Sequence, residues 1–298
     1  MDNGGGQGMS HEQEGHVDHL EMAASKDGII TALRFKILQD IGGHHQLLTP
    51  IIPTLAVIMI PGLYKIKNFT ADLTGVFTNL PPTDLYRGAG RPEATYVLER
   101  VVDKLADKLE MDPAELRLKN FPAADEFPFE TATGLSYDSG DYAKAFNIAL
   151  ENVGYDSFLK KQEKARSEGR LLGLGISTYG EVCAFGPSPA LPAGGWESAT
   201  VRVEATGKVT VMSGASPHGQ GGETAYSQLA ADALGVPMED VVVIHGDTGK
   251  VHWGVGTFGS RGTAIGGTAV HLALEDIVAK GKKYAAHILN ASLDSIQF

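Results

Sequence analysis

A glycine-rich stretch at residues 213–225, SGASPHGQGGETA, constrains the fold more than any other feature of the chain. It joins an apparent strand, residues 209–212, to an apparent helix that begins near Glu223. Its glycines allow either sign of φ and leave the backbone N–H groups bare. Because a helix start offers unpaired N–H donors to an anion, the stretch predicts a loop that holds a polar, phosphate-bearing cofactor. Gln220 adds an amide that both donates and accepts.

Charge and cysteine content narrow the function classes. The net charge of −11, from 25 Lys and Arg against 36 Asp and Glu, argues against a nucleic-acid surface. The single cysteine, Cys183, leaves no disulfide framework within the chain and favours a reducing compartment, so we expect a cytoplasmic protein. The polar start carries no signal peptide, and two prolines interrupt the most apolar stretch, residues 51–63, so we expect no transmembrane segment.

The first half of the chain is predicted to hold a β-hairpin at residues 16–38, a buried irregular or helical segment at 51–60 and an extended segment at 64–77. A helix from Pro92 carries Val97, Val101, Leu105 and Leu109 as a buried stripe and charged residues on its other side: Glu99, Arg100, Asp103, Lys104, Asp107 and Lys108. Asp112 is predicted to begin a short helix in a capping-box pattern. Residues 122–140 then read as a loop, and 141–152 and 157–168 as helices.

The second half is predicted to contain a hairpin at 198–212, a helix that stops at Gly235, a short strand at 240–245 and a long helix over 263–292. A Gly/Pro loop at 183–195 is expected near a binding cleft. A third glycine-rich loop spans 246–262 and contains a G-x-G-x-x-G at 254–259. This pattern stands well after the preceding strand, which argues against a dinucleotide-binding fingerprint.

Besides the stretch at 213–225, two loops lead into helices and carry polar groups suited to oxyanions. One is Tyr86–Arg91, with two arginines, and the other is the third loop, which ends in Ser260, Arg261 and Thr263 at the start of the long helix. The first alone could be a plain left-handed turn with surface arginines. The paired histidines, His16 with His19 and His44 with His45, lack matching carboxylates or cysteines, so we read them as solvated or packed side chains rather than metal ligands.

Several long runs carry a family resemblance. They are YRGAGRPEATYVLERVVDKLADKLEMDPAELRLKNF, YDSGDYAKAF, ESATVRVEATGKVTV, GASPHGQGGETAYSQLAADALGVPMEDVVVIHGDT and GTFGSRGTAIGGTAV. In this order they resemble the large, molybdopterin-binding subunit of the molybdenum hydroxylases, which include xanthine dehydrogenase, aldehyde oxidase and carbon monoxide dehydrogenase. The likeness is greatest to carbon monoxide dehydrogenase large-subunit-like proteins.

The resemblance implies an α+β fold: a two-lobed molybdopterin-binding domain with mixed, mainly antiparallel sheets and flanking helices. We expect a disordered or truncated edge at residues 1–15, a first molybdopterin-binding domain at 16–165 and a second at 166–298, both partial. The implied cofactor is molybdopterin cytosine dinucleotide with molybdenum. Iron–sulfur clusters and FAD are expected on partners, an iron–sulfur small subunit and an FAD medium subunit, beside the remaining large-subunit segments.

The resemblance also implies roles for individual residues. Gly219, Gln220 and Gly221 match the segment whose glutamine hydrogen-bonds the cofactor near the metal. Tyr86, Arg87, Gly88 and Ala89 match the loop that approaches the metal's oxo ligand. Residues of the third loop match the segment that binds the phosphates: Ser260, Arg261, Gly262 and Thr263. The family hydroxylates a carbon centre with water as the oxygen source, and no metal ligand is expected from this chain.

Departures from the family pattern limit these implications. The family's general-base glutamate is expected beyond Phe298, so we predict an incomplete chain that is inactive and sticky when alone. The Tyr86–Arg91 loop holds no cysteine, which argues against a copper-dependent carbon monoxide reaction. Ala89 offers no aromatic face, so an aldehyde or small heterocycle is the expected substrate. The alternatives are a non-catalytic remnant or assembly partner, and a nicotinamide-binding domain.

Overall fold

A computed structural model of the chain describes residues 15–46, 48–187 and 195–298. They form two compact units, one ending at Glu181 and the other beginning at Val182. The predicted edge at residues 1–15 lies outside the described residues except for Gly15, as do residues 188–194 of the loop predicted near a cleft. No helix in the described ranges is both long and apolar enough to cross a membrane.

The first unit is built on a mixed three-stranded sheet with the order β1–β2–β3. Strand β1 (His16–Ala24) pairs antiparallel with β2 (Ile30–Gly42), as predicted, and β2 pairs in parallel with β3 (Asn68–Phe77). The remaining elements of this unit are α1 (Ile51–Met59), α2 (Arg91–Leu109), α3 (Pro113–Asn120), β4 (Phe129–Glu130), β5 (Ser136–Tyr137), α4 (Tyr142–Val153) and α5 (Tyr155–Ser167).

Local sequence explains most of these elements. In β2, Leu33, Phe35 and Ile37 alternate with exposed residues, so one face of the strand is buried and the other is not. The segment at 51–60, predicted as irregular or helical, is the helix α1. The Asp112 side chain accepts hydrogen bonds from the N–H groups of Ala114 and Glu115, which confirms it as the N-cap of α3. The predicted loop at 122–140 contains the short antiparallel pair β4–β5.

The buried face of α2 differs from the prediction. The fully buried line is Ala94, Leu98, Val102 and Ala106, one residue after the predicted stripe, whose members are half-buried. Small alanines at both ends let the helix approach its neighbours closely. Glu99, predicted on the exposed side, is only 4% exposed. That prediction was wrong because Glu99 pairs with Arg117 of α3, and a paired charge can be buried.

The second unit also has a mixed three-stranded sheet, β6–β7–β8. The predicted hairpin is β6 (Ala199–Val203) and β7 (Val209–Ser213), and β7 pairs in parallel with β8 (Val241–Ile244). Helix α6 (Gly222–Leu234) ends at Gly235, as predicted, with a left-handed φ of 65°. Helix α7 (Thr268–Leu289) begins later than predicted, because residues Gly262–Gly267 form a π-helical turn first.

The two units share one order of elements, which the sequence alone did not reveal. Each has an antiparallel hairpin, a helix, a third strand parallel to the second and another helix: β1–β2–α1–β3–α2 and β6–β7–α6–β8–α7. In the second unit the apolar residues of sheet and helices form one core around Val211, Tyr226 and Val270. We call the five elements of each unit its ββαβα core.

The α+β class with mixed sheets and flanking helices, predicted from the resemblance, agrees with this architecture. The boundary between the compact units follows Glu181, downstream of the predicted boundary at 165/166. As a division between two cofactor-binding domains, the predicted ranges stay a prediction.

Candidate functional site

The glycine-rich loop between β7 and α6 presents an open backbone. Gly219 and Gly221 have φ values of 105° and 79°, and apart from the adjacent residues no described residue has an atom within 4 Å of where their Cβ atoms would stand. Gly221 is the N-cap of α6 and has no side chain to cap the helix, while the Glu223 carboxylate accepts the backbone N–H of its own residue. The remaining N–H groups of this glycine-rich turn are the donors that a ligand would use.

Contacts within the second unit join this loop to the third glycine-rich loop. The ring Nε2 of His218 lies 3.2 Å from the carbonyl oxygen of Thr257. The side-chain oxygen of Gln220 accepts a hydrogen bond from the backbone N–H of His218. That bond turns the carbonyl end of the Gln220 amide inward, and the exposed side chain keeps its NH₂ end as a donor for a ligand.

A second histidine supports the same loop. His245 directly follows β8, and its Nε2 lies 2.8 Å from Glu223 while its Nδ1 lies 3.2 Å from the Ser216 hydroxyl. The pKa of Glu223 is lowered, first by its backbone hydrogen bond and then by the bond from His245. An ionised carboxylate only accepts, so Nε2 carries the proton; in the neutral ring Nδ1 then accepts from Ser216. No local sequence pattern marks this contact.

The third loop is organised around one buried ion pair, Arg261 with Glu197, whose side chains are both fully buried. The Arg261 guanidinium donates to Glu197 and to the carbonyl oxygens of Phe185, Gly195, Trp196 and Gly256. Glu197 also accepts from the backbone N–H groups of Val255 and Gly256, each at 3.1 Å. All five N–H donors of the arginine are therefore used inside the protein.

This arrangement corrects the role predicted for Arg261. Its guanidinium is saturated by internal acceptors, so it does not offer charge-assisted hydrogen bonds to a phosphate. Ser260 and Thr263 are exposed beside it, and Ser260 has a left-handed φ of 52°. Glu197 escaped sequence reasoning because it lies 64 positions from Arg261 and no local pattern marks it.

The first unit contributes a separate loop, Tyr86–Gly90. Three successive residues, Gly88, Ala89 and Gly90, have φ values of 110°, 53° and 88°. The alanine therefore stores backbone strain of about 1–2 kcal/mol. Any Cβ on Gly90 would collide with the carbonyl oxygen of Ile52 in α1, so the backbone passes too close to accept a side chain. Tyr86 and Arg87 are exposed, while Ala89 is buried.

The side chain of Arg91, at the start of α2, holds this loop by its contacts. Its Nε donates to the carbonyl oxygen of Gly88 at 2.6 Å, and its Nη1 lies 2.7 Å from Glu181. The side chain of Arg91 is 12% exposed and that of Glu181 is 37% exposed. Of the two arginines predicted to bind oxyanions here, Arg87 is thus the exposed one and Arg91 holds the loop.

A buried network in the same unit fixes the irregular segment that leads to Glu181. Glu99 accepts from Arg117 Nε at 2.9 Å, from Tyr64 and from both the backbone N–H and the hydroxyl of Thr178. Burial, followed by the charge of Glu99, raises the pKa of Tyr64 far above its ordinary value of 10.0. Arg117 also donates to the carbonyl oxygen of Ile176 at 3.2 Å.

The structure thus brings together the predicted residues Gly219, Gln220 and Gly221 with the third loop, through His218 and Thr257. The loop Tyr86–Gly90 belongs to the other unit. Within the described residues, no group of three or more His, Cys, Asp or Glu side chains is placed to hold a metal ion.

Two family profiles match the chain, and both carry the description "Molybdopterin cofactor-binding domain". One matches residues 148–298 and the other matches residues 7–121.

Individual relatives agree with these profiles. The carbon monoxide dehydrogenase large chain of Hydrogenophaga pseudoflava is 38% identical over 95% of this chain and 36% of its own length. The nicotine 6-hydroxylase large subunit of Paenarthrobacter nicotinovorans is 34% identical over 96% of this chain and 36% of its own. The crystal structure of quinoline 2-oxidoreductase from Pseudomonas putida 86 superposes with a TM-score of 0.90, at 32% identity over 97% of this chain and 37% of that one. The chain therefore spans about a third of the length of these proteins.

Proposed function

The chain belongs to the family of molybdopterin cofactor-binding domains, and from that premise we propose that it is part of a molybdenum-dependent hydroxylase that oxidises a carbon centre. Its relatives are dehydrogenases, hydroxylases and oxidoreductases, which supports a role in an enzyme. In this proposal the chain works with the remaining large-subunit segments, an iron–sulfur small subunit and an FAD medium subunit.

One observation carries the cofactor proposal: the open backbone at the start of α6. Gly219 and Gly221 leave the backbone without side chains beside a helix start whose N-cap is a glycine, and Gln220 adds an exposed amide. Such a cradle fits a phosphate-bearing dinucleotide, because backbone donors and the helix dipole both favour negative charge there. The cofactor we propose is molybdopterin cytosine dinucleotide.

The residues of this chain bind and orient the cofactor. Gln220 would donate to it, and the segment with Ser260, Gly262 and Thr263, of which Ser260 and Thr263 are exposed, would hold its phosphates. Arg261 keeps that segment in shape from inside, as its five internal hydrogen bonds indicate. In the first unit the loop with Tyr86, Arg87, Gly88 and Ala89 would face the metal end. When bound, the cofactor supplies the redox chemistry with water as oxygen source, and the protein supplies position and electrostatics.

For the substrate we propose an aldehyde or a small heterocycle. Ala89 has no ring to clamp a flat purine, and Tyr86–Arg91 contains no cysteine for copper. Relatives named for nicotine and quinoline support the heterocycle within this class. Carbon monoxide is the less favoured substrate, although a carbon monoxide dehydrogenase large chain is among the relatives.

The test is metal and nucleotide analysis of the chain purified from a molybdenum-competent host, alone and co-expressed with its genomic neighbours. We expect near-stoichiometric molybdenum with released cytosine nucleotide in at least the co-expressed sample. Absence of both molybdenum and nucleotide from both samples would overturn the proposal and favour a non-catalytic assembly protein. A nucleotide other than cytosine would overturn the cofactor form alone.

A further inference from the structure

The loops that precede α2 and α7 occupy the same place in the two ββαβα cores. Each has an arginine at its end, Arg91 in the first unit and Arg261 in the second. Each arginine donates to a glycine carbonyl of its own loop, Gly88 or Gly256. Each also pairs with a glutamate from outside the core, Glu181 or Glu197. One device therefore occurs in both units.

The first of these loops needs such a device. Residues 88–90 all have φ between 53° and 110°, and Ala89 is a side-chain-bearing residue in that region. A conformation of this kind persists only when its surroundings impose it. Backbone bonds supply part of the restraint: Ala89 N–H donates to Tyr86 at 2.9 Å and Arg91 N–H donates to Gly88 at 3.3 Å. The Arg91 side chain adds a bond to the same Gly88 carbonyl.

Glu181 is presented from a segment that is itself fixed. Thr178 is held by Glu99 through its backbone N–H at 3.0 Å and its hydroxyl at 3.1 Å. The carbonyl of Ile176 is held by the fully buried Arg117. Glu181 therefore lies only three residues after a backbone segment that is held in place. This anchoring fixes the position of its carboxylate against Arg91.

We propose that Arg91 and Glu181 are the positioning pair of the loop Tyr86–Gly90: Glu181 fixes the guanidinium, and the guanidinium holds the Gly88 carbonyl so that the loop keeps its left-handed turn. That the loop so positioned meets the cofactor rests on the proposed function. Neither residue touches the cofactor in this account; both act through the loop.

The test compares three variants of the co-expressed protein: Glu181→Gln, Glu181→Asp and Glu168→Gln. Glu168 is the control, because it pairs with Lys164 and Arg170 at the end of α5, on a different element from the loop. Hydrogen exchange of the Ala89 and Arg91 amides reports loop opening with or without a cofactor. Molybdenum content reports whether loop position matters for binding.

We expect exchange of the Ala89 amide to rise about tenfold in Glu181→Gln and to return most of the way in Glu181→Asp, which restores the carboxylate. Glu168→Gln should match the wild type, and the urea midpoint should stay near that of the wild type in all three. Equal exchange in Glu181→Gln and wild type would overturn the positioning pair.

The two proposals fail separately. Lower molybdenum content in Glu181→Gln than in Glu168→Gln, with raised exchange, supports the coupling of pair and cofactor. Raised exchange with undiminished molybdenum would overturn that coupling and leave the pair as a purely local support. A wild type without molybdenum contradicts the proposed function, while its exchange data still decide the pair.

Discussion

The loops before α2 and α7 are each held by an Arg–Glu ion pair, and the two ion pairs differ in how deeply they are buried. Arg261 and Glu197 are both fully buried, and apart from each other all their described hydrogen-bond partners are backbone groups. Arg91 and Glu181 are 12% and 37% exposed, and the arginine holds one loop carbonyl, that of Gly88. The third loop, before α7, is thus built around its ion pair. The loop Tyr86–Gly90, before α2, is only fastened by one.

The difference follows from what else each loop has. Tyr86–Gly90 lies against α1, where Gly90 passes close to the backbone of Ile52, so packing defines part of its shape. The third loop has neither helix nor strand between β8 and the turn at Gly262, and its backbone groups need partners. A buried Arg–Glu pair supplies donors and acceptors at once, which an apolar core would not.

The largest expected effect comes from breaking the buried pair. Arg261→Met should lower the free energy of unfolding by about 3–5 kcal/mol, because it leaves the Glu197 carboxylate buried without its cation. Urea unfolding of the second unit, followed by hydrogen exchange, measures this loss. Arg202→Met is the matched control, since Arg202 is 68% exposed and its ion-pair partner among the described residues is Glu204, near the end of β6; it should cost less than about 1 kcal/mol.

An apolar double replacement sharpens the same comparison. Glu197→Leu combined with Arg261→Met removes the unpaired charge but should stay about as unstable as the single variant. The N–H groups of Val255 and Gly256 then lose Glu197 as their acceptor, and the carbonyl of Phe185 remains without its arginine donor. Recovery of stability in the double variant would show that the pair acts only as two charges and would contradict the account of the loop.

A smaller expected effect is that the two Arg–Glu ion pairs respond differently to salt concentration. Because Glu181 is 37% exposed, its attraction to Arg91 should weaken as ionic strength rises, whereas the buried Arg261–Glu197 pair should not respond. We expect faster amide exchange of Ala89 at about 1 M NaCl than at about 0.1 M NaCl, because the Debye length is about 3 Å at the higher concentration and about 10 Å at the lower. Exchange at Gly256 should be unchanged. Equal salt responses would remove the distinction.

The smallest effect concerns acid, which should act on both units alike. The pKa of Glu126 is lowered by the Ala123 N–H and by Lys65, and that of Glu223 by its own backbone and by His245. A lowered folded pKa gives stability that is present above the unfolded value of 4.5 and is lost as pH falls through the folded value. The urea concentration at the unfolding midpoint should therefore decrease as the pH is lowered below 4.5. Glu126→Gln and Glu223→Gln should each make this decrease with pH less steep. An unchanged slope would contradict these pKa directions.

Elements with a local signature were predictable from sequence. Asp112 as an N-cap and Gly235 as a helix end are decided by neighbouring residues, and both hairpins by alternation and a turn. The open Gly219–Gly221 backbone was predictable for the same reason, since glycine spacing sets it.

Long-range pairing was not predictable in this way. Glu99 looked like a solvated charge on α2, and Arg261 looked like a ligand for phosphate, because sequence does not show which carboxylate or carbonyl will face a charge. Glu181 and Glu197 carry no local pattern at all. The repeated ββαβα order was hidden too, since topology was kept while the sequences of the two units differ.

We propose that the open loop at the start of α6 holds the molybdenum cofactor, and two glycine variants test this most directly. Gly221→Ala and Gly207→Ala place a methyl group at φ values of 79° and 86°, each with no described atom within 4 Å. Their strain is therefore matched, but Gly207 lies in the β6–β7 turn, away from the loop. Molybdenum content of the co-expressed protein should fall several-fold in Gly221→Ala and stay at the wild-type level in Gly207→Ala. Equal molybdenum content in both variants would contradict the claim.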